Sequence, residues 1–85
     1  MNAELLAKHV LKMIQNPNLS PPLELLDYAA EQGWPLGQRH YNYANNWHGR
    51  RVEKIADVRF MGEIQLLILR GALPELLSSD SVRAN

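Results

Sequence analysis

Proline and glycine divide this chain of 85 residues into segments whose lengths suit α-helices. Asn16-Pro17-Asn18 cannot continue a helix, because proline lacks an amide hydrogen and restricts the residue before it. Gly33 and Gly49 are placed to end two further segments, since glycine readily adopts the left-handed conformation that follows many helices. Between these breaks, apolar residues recur at the three- and four-residue spacing of amphipathic helices. The sequence therefore predicts an all-α fold.

The predicted architecture is a single small bundle of four to five helices. The helices are expected at about 2–15, 21–32, 36–47 and 50–70, with a short final one at 74–78. Gly62 lies inside the fourth segment, where glycine costs about 1 kcal/mol relative to alanine and can break a helix. Gly71 is expected to end that segment. Residues 1–77 are expected to form one helical domain, followed by a polar, disordered tail at 78–85.

Capping residues and apolar faces refine this prediction. Asn2 and Ser20 are the expected N-caps of the first two helices, and Pro21 suits the first helical position after Ser20. The run from Ile64 to Leu69 contains Gln65 as its one polar residue, which predicts that the fourth helix is the buried centre of the bundle. The faces expected to be buried are Leu6, Val10, Met13 and Ile14 on the first helix, and on the second a stripe of Leu23, Leu26 and Ala30 with Leu25 and Ala29 beside it.

Composition excludes several classes of protein. Nine basic and nine acidic side chains give a net charge of zero, which argues against a general polyanion binder. The chain has no cysteine, so it can form neither disulfides nor a thiolate zinc site. No apolar run approaches the roughly 18 residues that are needed to span a bilayer. We therefore expect a cytoplasmic protein that does not contact membranes.

The segment from Gly33 to Arg51 differs in composition from the rest of the chain. It contains both tryptophans, two of the three tyrosines and two of the three histidines. Three asparagines in five positions cost its helix roughly half a kcal/mol each relative to alanine, which indicates a functional demand on that face. The opposite face is expected to point inward, and it contains Leu36, His40, Tyr43, Ala44 and Trp47.

The preferred hypothesis is a non-enzymatic protein-interaction module, a small regulator or inhibitor that binds a partner protein through residues 34–51. Tryptophan and arginine are enriched where proteins meet, and amides fix the orientation of a partner by hydrogen bonding. The partner-binding residues are predicted to be Trp34, Gln38, Arg39, Asn42, Asn45, Asn46, Arg50 and Arg51.

The alternative hypothesis is a DNA-binding regulator with a helix-turn-helix-like pair at about 21–47. Ala29 and Gly33 have the alanine–glycine spacing of that motif, and the helix at 36–47 would then read the bases. Arginine pairs with guanine, and asparagine or glutamine pairs with adenine. However, Arg39 occupies a position where the motif favours a branched apolar residue.

Catalytic and metal-binding patterns are weak. His40 and His48 are eight residues apart, which matches neither one helix face nor a known zinc spacing. No glycine-rich phosphate loop is followed by the required lysine. We therefore expect no enzymatic activity, no catalytic residues, no metal and no cofactor.

Self-association is compatible with either binding hypothesis. The nearly continuous apolar residues from Ile64 to Leu69 could be buried more completely in a homodimer, because an 85-residue chain has only a small core of its own.

Overall fold

The computed structural model describes residues 1–78, and it confirms the all-α prediction. The four helices are α1 (Ala3–Gln15), α2 (Leu23–Gln32), α3 (Gln38–Trp47) and α4 (Ile55–Leu77). Within the described residues, the β-structure consists of one isolated bridge. Apart from Ser78, the predicted disordered tail lies outside the described residues.

The core lies between α4 and the other three helices, and α1 packs chiefly against α4. Asn2 caps α1 as predicted, because its side-chain oxygen accepts a hydrogen bond from the amide of Leu5 at 2.8 Å. The buried apolar side chains come from all four helices and from the segments that follow α2 and α3. They are Leu6, Val10, Met13, Leu25, Leu26, Ala29, Trp34, Ala44, Val52, Met61, Ile64, Ile68 and Ala72.

Trp34 joins the end of α2 to the middle of the second half of α4. Gly33 ends α2 in the left-handed conformation, with φ of 69°, as predicted. The amide of Trp34 then donates to the carbonyl of Ala29 at 3.0 Å, which closes the helix end and turns the indole inward. The indole lies directly on Gly71, where a Cβ atom would be only 2.3 Å from Cγ of Trp34. Gly71 is therefore required for packing.

The fourth helix is longer and more regular than predicted. It runs unbroken through Gly62, Gly71 and Pro74, so the predicted end at Gly71 and the separate helix at 74–78 are wrong, and the break that Gly62 could have caused does not occur. Pro74 has no amide hydrogen to give to the carbonyl of Arg70. Both residues are exposed, so water can bind that carbonyl instead. The buried residues on the other side of the helix hold it together across these positions.

Residues 50–54 are extended, whereas the sequence pattern predicted a helix from residue 50. They pair with the loop between α1 and α2: the amide of Ser20 donates to the carbonyl of Arg50, and that of Val52 donates to Asn18, each at 2.9 Å. Ser20 does not cap α2, because its hydroxyl group is buried and donates to the carbonyl of Ala44 at 3.4 Å. This pairing ties the end of α3 to the loop before α2.

The buried face of α2 is rotated from the predicted one. The helix begins at Leu23 rather than at Pro21, and it buries Leu25, Leu26 and Ala29. Leu23 and Ala30 are exposed. Because Leu25 and Leu26 are adjacent, the sequence pattern is compatible with burial of the face that contains Leu23 or of the face that contains Leu25. Packing against the other helices selects the face with Leu25.

Two further burial predictions are wrong. Ile14 of α1 is exposed. In α4, Leu66 is half exposed although it lies within the run predicted to be buried on most sides. Gln65, the polar residue of that run, is buried because its side-chain amide donates to the carbonyl of Leu19 at 2.9 Å. A buried carbonyl needs a hydrogen-bond donor, and the apolar periodicity of α4 does not reveal that Gln65 is the donor for Leu19.

The two glycines inside α4 provide a matched test of the packing of Trp34. In Gly71→Ala, the new methyl group must displace the indole, so we expect the free energy of unfolding to fall by about 1–3 kcal/mol. In Gly62→Ala, nothing lies within 4 Å of the new methyl group. We therefore expect a gain of about 1 kcal/mol from helix propensity alone. Urea denaturation measures both effects, and a gain in both variants would contradict the assigned position of Trp34.

Candidate interaction surface

The polar face of α3 is exposed along its whole length. The buried residue of this helix is Ala44, which lies on the opposite side. The side-chain amide of Gln38 donates to the Oδ1 atom of Asn42 at 2.9 Å, so these two residues order one another. The structure brings together on this face five of the residues predicted to bind a partner: Gln38, Arg39, Asn42, Asn45 and Asn46.

His40 secures the beginning of α3. The amide of Gly37 donates to Nδ1 of His40 at 2.9 Å. Because a backbone N–H group can only donate, Nδ1 is an acceptor, and in the neutral ring the proton lies on Nε2. That Nε2–H group donates to Oε2 of Glu63 at 3.0 Å. His40 therefore faces inward as predicted, and it joins the first turn of α3 to α4.

Phe60 of α4 contacts three neighbouring side chains of α3. The ring of His40 stacks on it at 5.5 Å between centroids, and the ring of Tyr43 meets it edge-on at 4.8 Å. The guanidinium group of Arg39 lies 5.1 Å from the centroid of Phe60. Arg39 also approaches Oε2 of Glu63 at 3.7 Å. Phe60 thus fixes the rotation of α3 about its own axis.

Both ends of the exposed face carry an arginine that is held over an aromatic ring. Arg39 lies over Phe60, and the guanidinium group of Arg50 lies 5.1 Å from the centroid of Trp47. Arg50 also donates to the backbone carbonyl of Asn46 near the end of α3. Cation–π contacts of this kind contribute about 0.5–1 kcal/mol at exposed sites. The two guanidinium groups are therefore oriented before any partner binds.

Tyr43 links α3 to the first turn of α4. Its hydroxyl group donates to Oδ1 of Asp57. Burial, and secondly this hydrogen bond to a carboxylate, raise the pKa of Tyr43 from 10.0 to about 12. The hydroxyl group of Tyr43 therefore stays protonated at neutral pH, and it holds α3 against α4 by donating to Asp57.

Trp34 and Arg51 do not belong to this surface. Trp34 is only 8% exposed, because its indole fills the space over Gly71, and its prediction as a partner-binding residue is corrected here. Arg51 is exposed, but its backbone bridges to Leu19 beyond the end of α3. Its side chain borders a cleft of about 210 Å³ together with Trp47, Glu53, Lys54 and Asp57.

Three residues that order the surface were missed in the sequence. Asp57, Phe60 and Glu63 recur every third residue on α4, and they receive Tyr43, Arg39 and His40 of α3. The three-residue spacing was visible as a shared face of α4. Nothing in the local pattern identified α3 as its partner.

Comparison with protein-family models, with curated proteins and with solved structures finds no match to this chain. Among residues 1–78, no group of three or more histidine, cysteine, aspartate or glutamate residues is placed to hold a metal ion. In the same range, no helix is both long enough and apolar enough to cross a membrane. Function therefore has to be argued from the geometry of the surface.

The raised pKa of Tyr43 predicts a pH-dependent difference in stability between wild type and Tyr43→Phe. Below pH 10, we expect Tyr43→Phe to lower the free energy of unfolding by about 1 kcal/mol, since Asp57 loses its donor. A raised pKa in the folded state means that this contribution is complete below the unfolded value of 10.0 and declines as the pH rises to about 12.

Urea denaturation of wild type and variant at several pH values between 8 and 12 tests this prediction. Tyr41→Phe is the comparison, because burial alone raises the pKa of Tyr41. Its stability difference should also change above pH 10, and the loss below pH 10 should be larger in Tyr43→Phe, which loses the hydrogen bond to Asp57. A loss in Tyr43→Phe that is equal at both ends of the pH range would contradict the raised pKa of Tyr43.

Proposed function

We propose that this chain is a non-enzymatic interaction module, a small regulator or inhibitor, that binds a partner protein through the α3 surface. We define the α3 surface as Gln38, Arg39, Asn42, Asn45, Asn46 and Arg50. The observation that supports this proposal most strongly is the pair of ring-stacked arginines, one at each end of an exposed row of amides.

The α3 surface has the properties of a pre-organised binding site. An arginine that already lies over an aromatic ring loses less side-chain entropy on binding than one that moves freely. Arg39 lies in the first turn of α3, and the guanidinium group of Arg50 folds back onto its last turn, so the two groups lie near opposite ends of a ten-residue helix that is roughly 15 Å long. Planar guanidinium groups bind carboxylates through two parallel hydrogen bonds. The expected partner therefore presents two acidic side chains at about this separation, with polar groups between them.

Acidic side chains beside the arginines favour a protein over a nucleic acid. Glu63 lies 3.7 Å from Arg39, and Glu53 and Asp57 border the cleft that contains Arg51. These carboxylates lower the extended positive potential that a row of phosphate groups would require, whereas one partner carboxylate can pair directly with each guanidinium group. In addition, five residues, 33–37, connect α2 to α3, whereas a helix-turn-helix usually has a turn of three or four. Sequence-specific DNA binding remains the alternative, since arginine and amide side chains are those that read base edges.

Quantitative affinity capture with matched variants tests the proposal. Wild-type protein, Arg39→Ala/Arg50→Ala and the control Lys8→Ala are immobilised, and the captured proteins are compared by mass spectrometry. Lys8 is an exposed cation on α1, far from the α3 surface in the sequence. We expect a protein that the control retains and the double variant loses. With that protein purified, the double variant should bind about 30-fold more weakly or worse, the loss typical of a central interface residue.

Arg50→Lys separates recognition of carboxylates from simple attraction of phosphate. Lysine keeps the charge but lacks the planar group that stacks on Trp47 and binds a carboxylate with two hydrogen bonds. We expect Arg50→Lys to lose most of the affinity for the captured protein.

A fluorescence anisotropy titration with mixed-sequence duplex DNA at low and high salt completes the test. Strong, salt-dependent DNA binding that Arg50→Lys preserves, and that Arg39→Ala with Asn42→Ala abolishes, would overturn the proposal in favour of the DNA-binding alternative.

A further inference from the structure

A cleft of about 300 Å³ lies between the end of α1, the loop that follows it and the segment after α3. We call this space the α1–α2 cleft. Its apolar lining is supplied by Met13, Leu19, Pro21 and Pro22. Clefts that bind small molecules have volumes from roughly 300 Å³ upward, and they are lined mainly by apolar groups with a few polar ones. The α1–α2 cleft shares no residue with the α3 surface, so a ligand bound there is independent of the proposed function.

The charged residues that line the α1–α2 cleft are basic. They are His9, Lys12 and Arg51, and no acidic residue of the described range lines it, although the whole chain has nine acidic and nine basic residues. The ring of His9 is engaged by Glu24 at 3.3 Å. Within residues 1–78, the ion pairs include neither Lys12 nor Arg51. Two cations that no carboxylate of this range neutralises therefore border one partly apolar cleft.

Backbone pairing fixes the walls of the cleft. Leu19 forms an antiparallel bridge with Arg51. The amide of Gly49 donates to the carbonyls of Ser20 and Pro21, each at 3.3 Å. Arg51 is therefore held opposite Leu19 before any ligand binds, which reduces the entropy that binding costs.

The end of α1 is also prepared for a negative charge. The side-chain amide of Asn16 donates to the carbonyl of Lys12 at 2.8 Å, and its backbone amide donates to the carbonyl of Met13 at 3.2 Å. Two of the carbonyl groups that would repel an anion are thus already paired. Lys12 adds a positive charge in the last turn, where the helix dipole is negative.

The two prolines line the cleft instead of beginning α2. Ser20 followed by Pro21 is the pattern of a helix start, yet α2 begins at Leu23 and no side chain caps it. Pro22 is extended, with φ of −69° and ψ of 156°. Places where the fold overrides a strong local pattern in this way are expected at functional sites.

We propose that the α1–α2 cleft binds a small organic anion, in which a carboxylate or phosphate group is attached to an apolar body. The guanidinium group of Arg51 suits either acidic group, because it can form two parallel hydrogen bonds, and the ammonium group of Lys12 adds a second charge. The apolar lining receives the body of the ligand. Since an apolar cavity of about 150 Å³ holds a benzene ring, the cleft has room for one ring and its acidic group.

The position of Lys12 distinguishes this cleft from its neighbour. Arg51 also borders the cleft of about 210 Å³ that contains Glu53, Lys54 and Asp57. The two carboxylates there would repel an anion, so the ligand is expected on the side of Arg51 that faces α1.

An NMR titration of the ¹⁵N-labelled full chain is the test, with phenylacetate and phenyl phosphate as probes. We expect at least one of these aryl anions to bind with a dissociation constant in the millimolar range or tighter and to shift the amide signals of Met13, Leu19 and Gly49. The tighter of the two identifies the preferred acidic group. The uncharged 2-phenylethanol and inorganic phosphate should each bind at least about tenfold more weakly, because each lacks one half of the ligand.

Matched variants locate the charges that bind the anion. Lys12→Ala and Arg51→Ala should each weaken binding of the aryl anion about tenfold, the loss typical of a hydrogen bond to a charged group. Lys8→Ala, one turn earlier on α1, and Lys54→Ala, at the neighbouring cleft, should leave it unchanged. Circular dichroism confirms that each variant remains folded.

Four results would overturn the inference. The first is the absence of shifts at these amides with either aryl anion at roughly tens of millimolar, well above the expected dissociation constant. The second is binding of 2-phenylethanol as tight as that of the anions. Inorganic phosphate that binds equally tightly would show an adventitious ion only. The last is an affinity that either Lys12→Ala or Arg51→Ala leaves unchanged, or that Lys54→Ala lowers as much as they do.

Discussion

The contact between the indole of Trp34 and the backbone of α4 at Gly71 determines how the other elements are arranged. A side chain of any size at position 71 would occupy the space of the ring. Gly33 turns the chain so that the ring enters this space, and Tyr28 packs against it edge-on at 5.7 Å between centroids. Tyr28 in turn donates to Glu75, and that hydrogen bond, followed by burial, raises the pKa of Tyr28 to about 12. The end of α2 is thereby attached to the second half of α4.

The position of α3 follows from this attachment. The chain leaves Trp34 and begins α3 only four residues later, so α3 has little freedom in where it starts. Phe60 and Glu63 then receive its inward side chains. The aromatic residues of the central segment therefore build and orient the helix. The amides are left at the surface, where Asn42 accepts a hydrogen bond from Gln38 of the same helix and Asn45 and Asn46 are exposed.

The sequence predicted the helices and the exposed face of α3 because both depend on local properties. Gly33 adopts the left-handed conformation that its position after an amphipathic segment indicated, and Asn2 caps α1. The failures concern residues whose role depends on a distant partner. Gly71 suggested a helix end, but it makes room for Trp34. Gln65 is buried because the carbonyl of Leu19 accepts its hydrogen bond.

The same distinction applies to the candidate site. Periodicity was sufficient to separate the amides of α3 from its inward side chains. It could not show that Trp34 is buried or that Phe60 holds Arg39, because both facts depend on how α2 and α3 approach α4. The division of the central segment into core aromatics and surface amides is thus the central claim about this protein.

Acrylamide quenching of tryptophan fluorescence in Trp47→Phe tests that claim most directly, since Trp34 is then the one tryptophan in the chain. The buried position of Trp34 predicts blue-shifted emission and weak quenching in the native protein, followed by a red shift and strong quenching in urea. Native emission that is quenched as readily as that of the unfolded chain would place Trp34 at the surface and contradict its burial over Gly71.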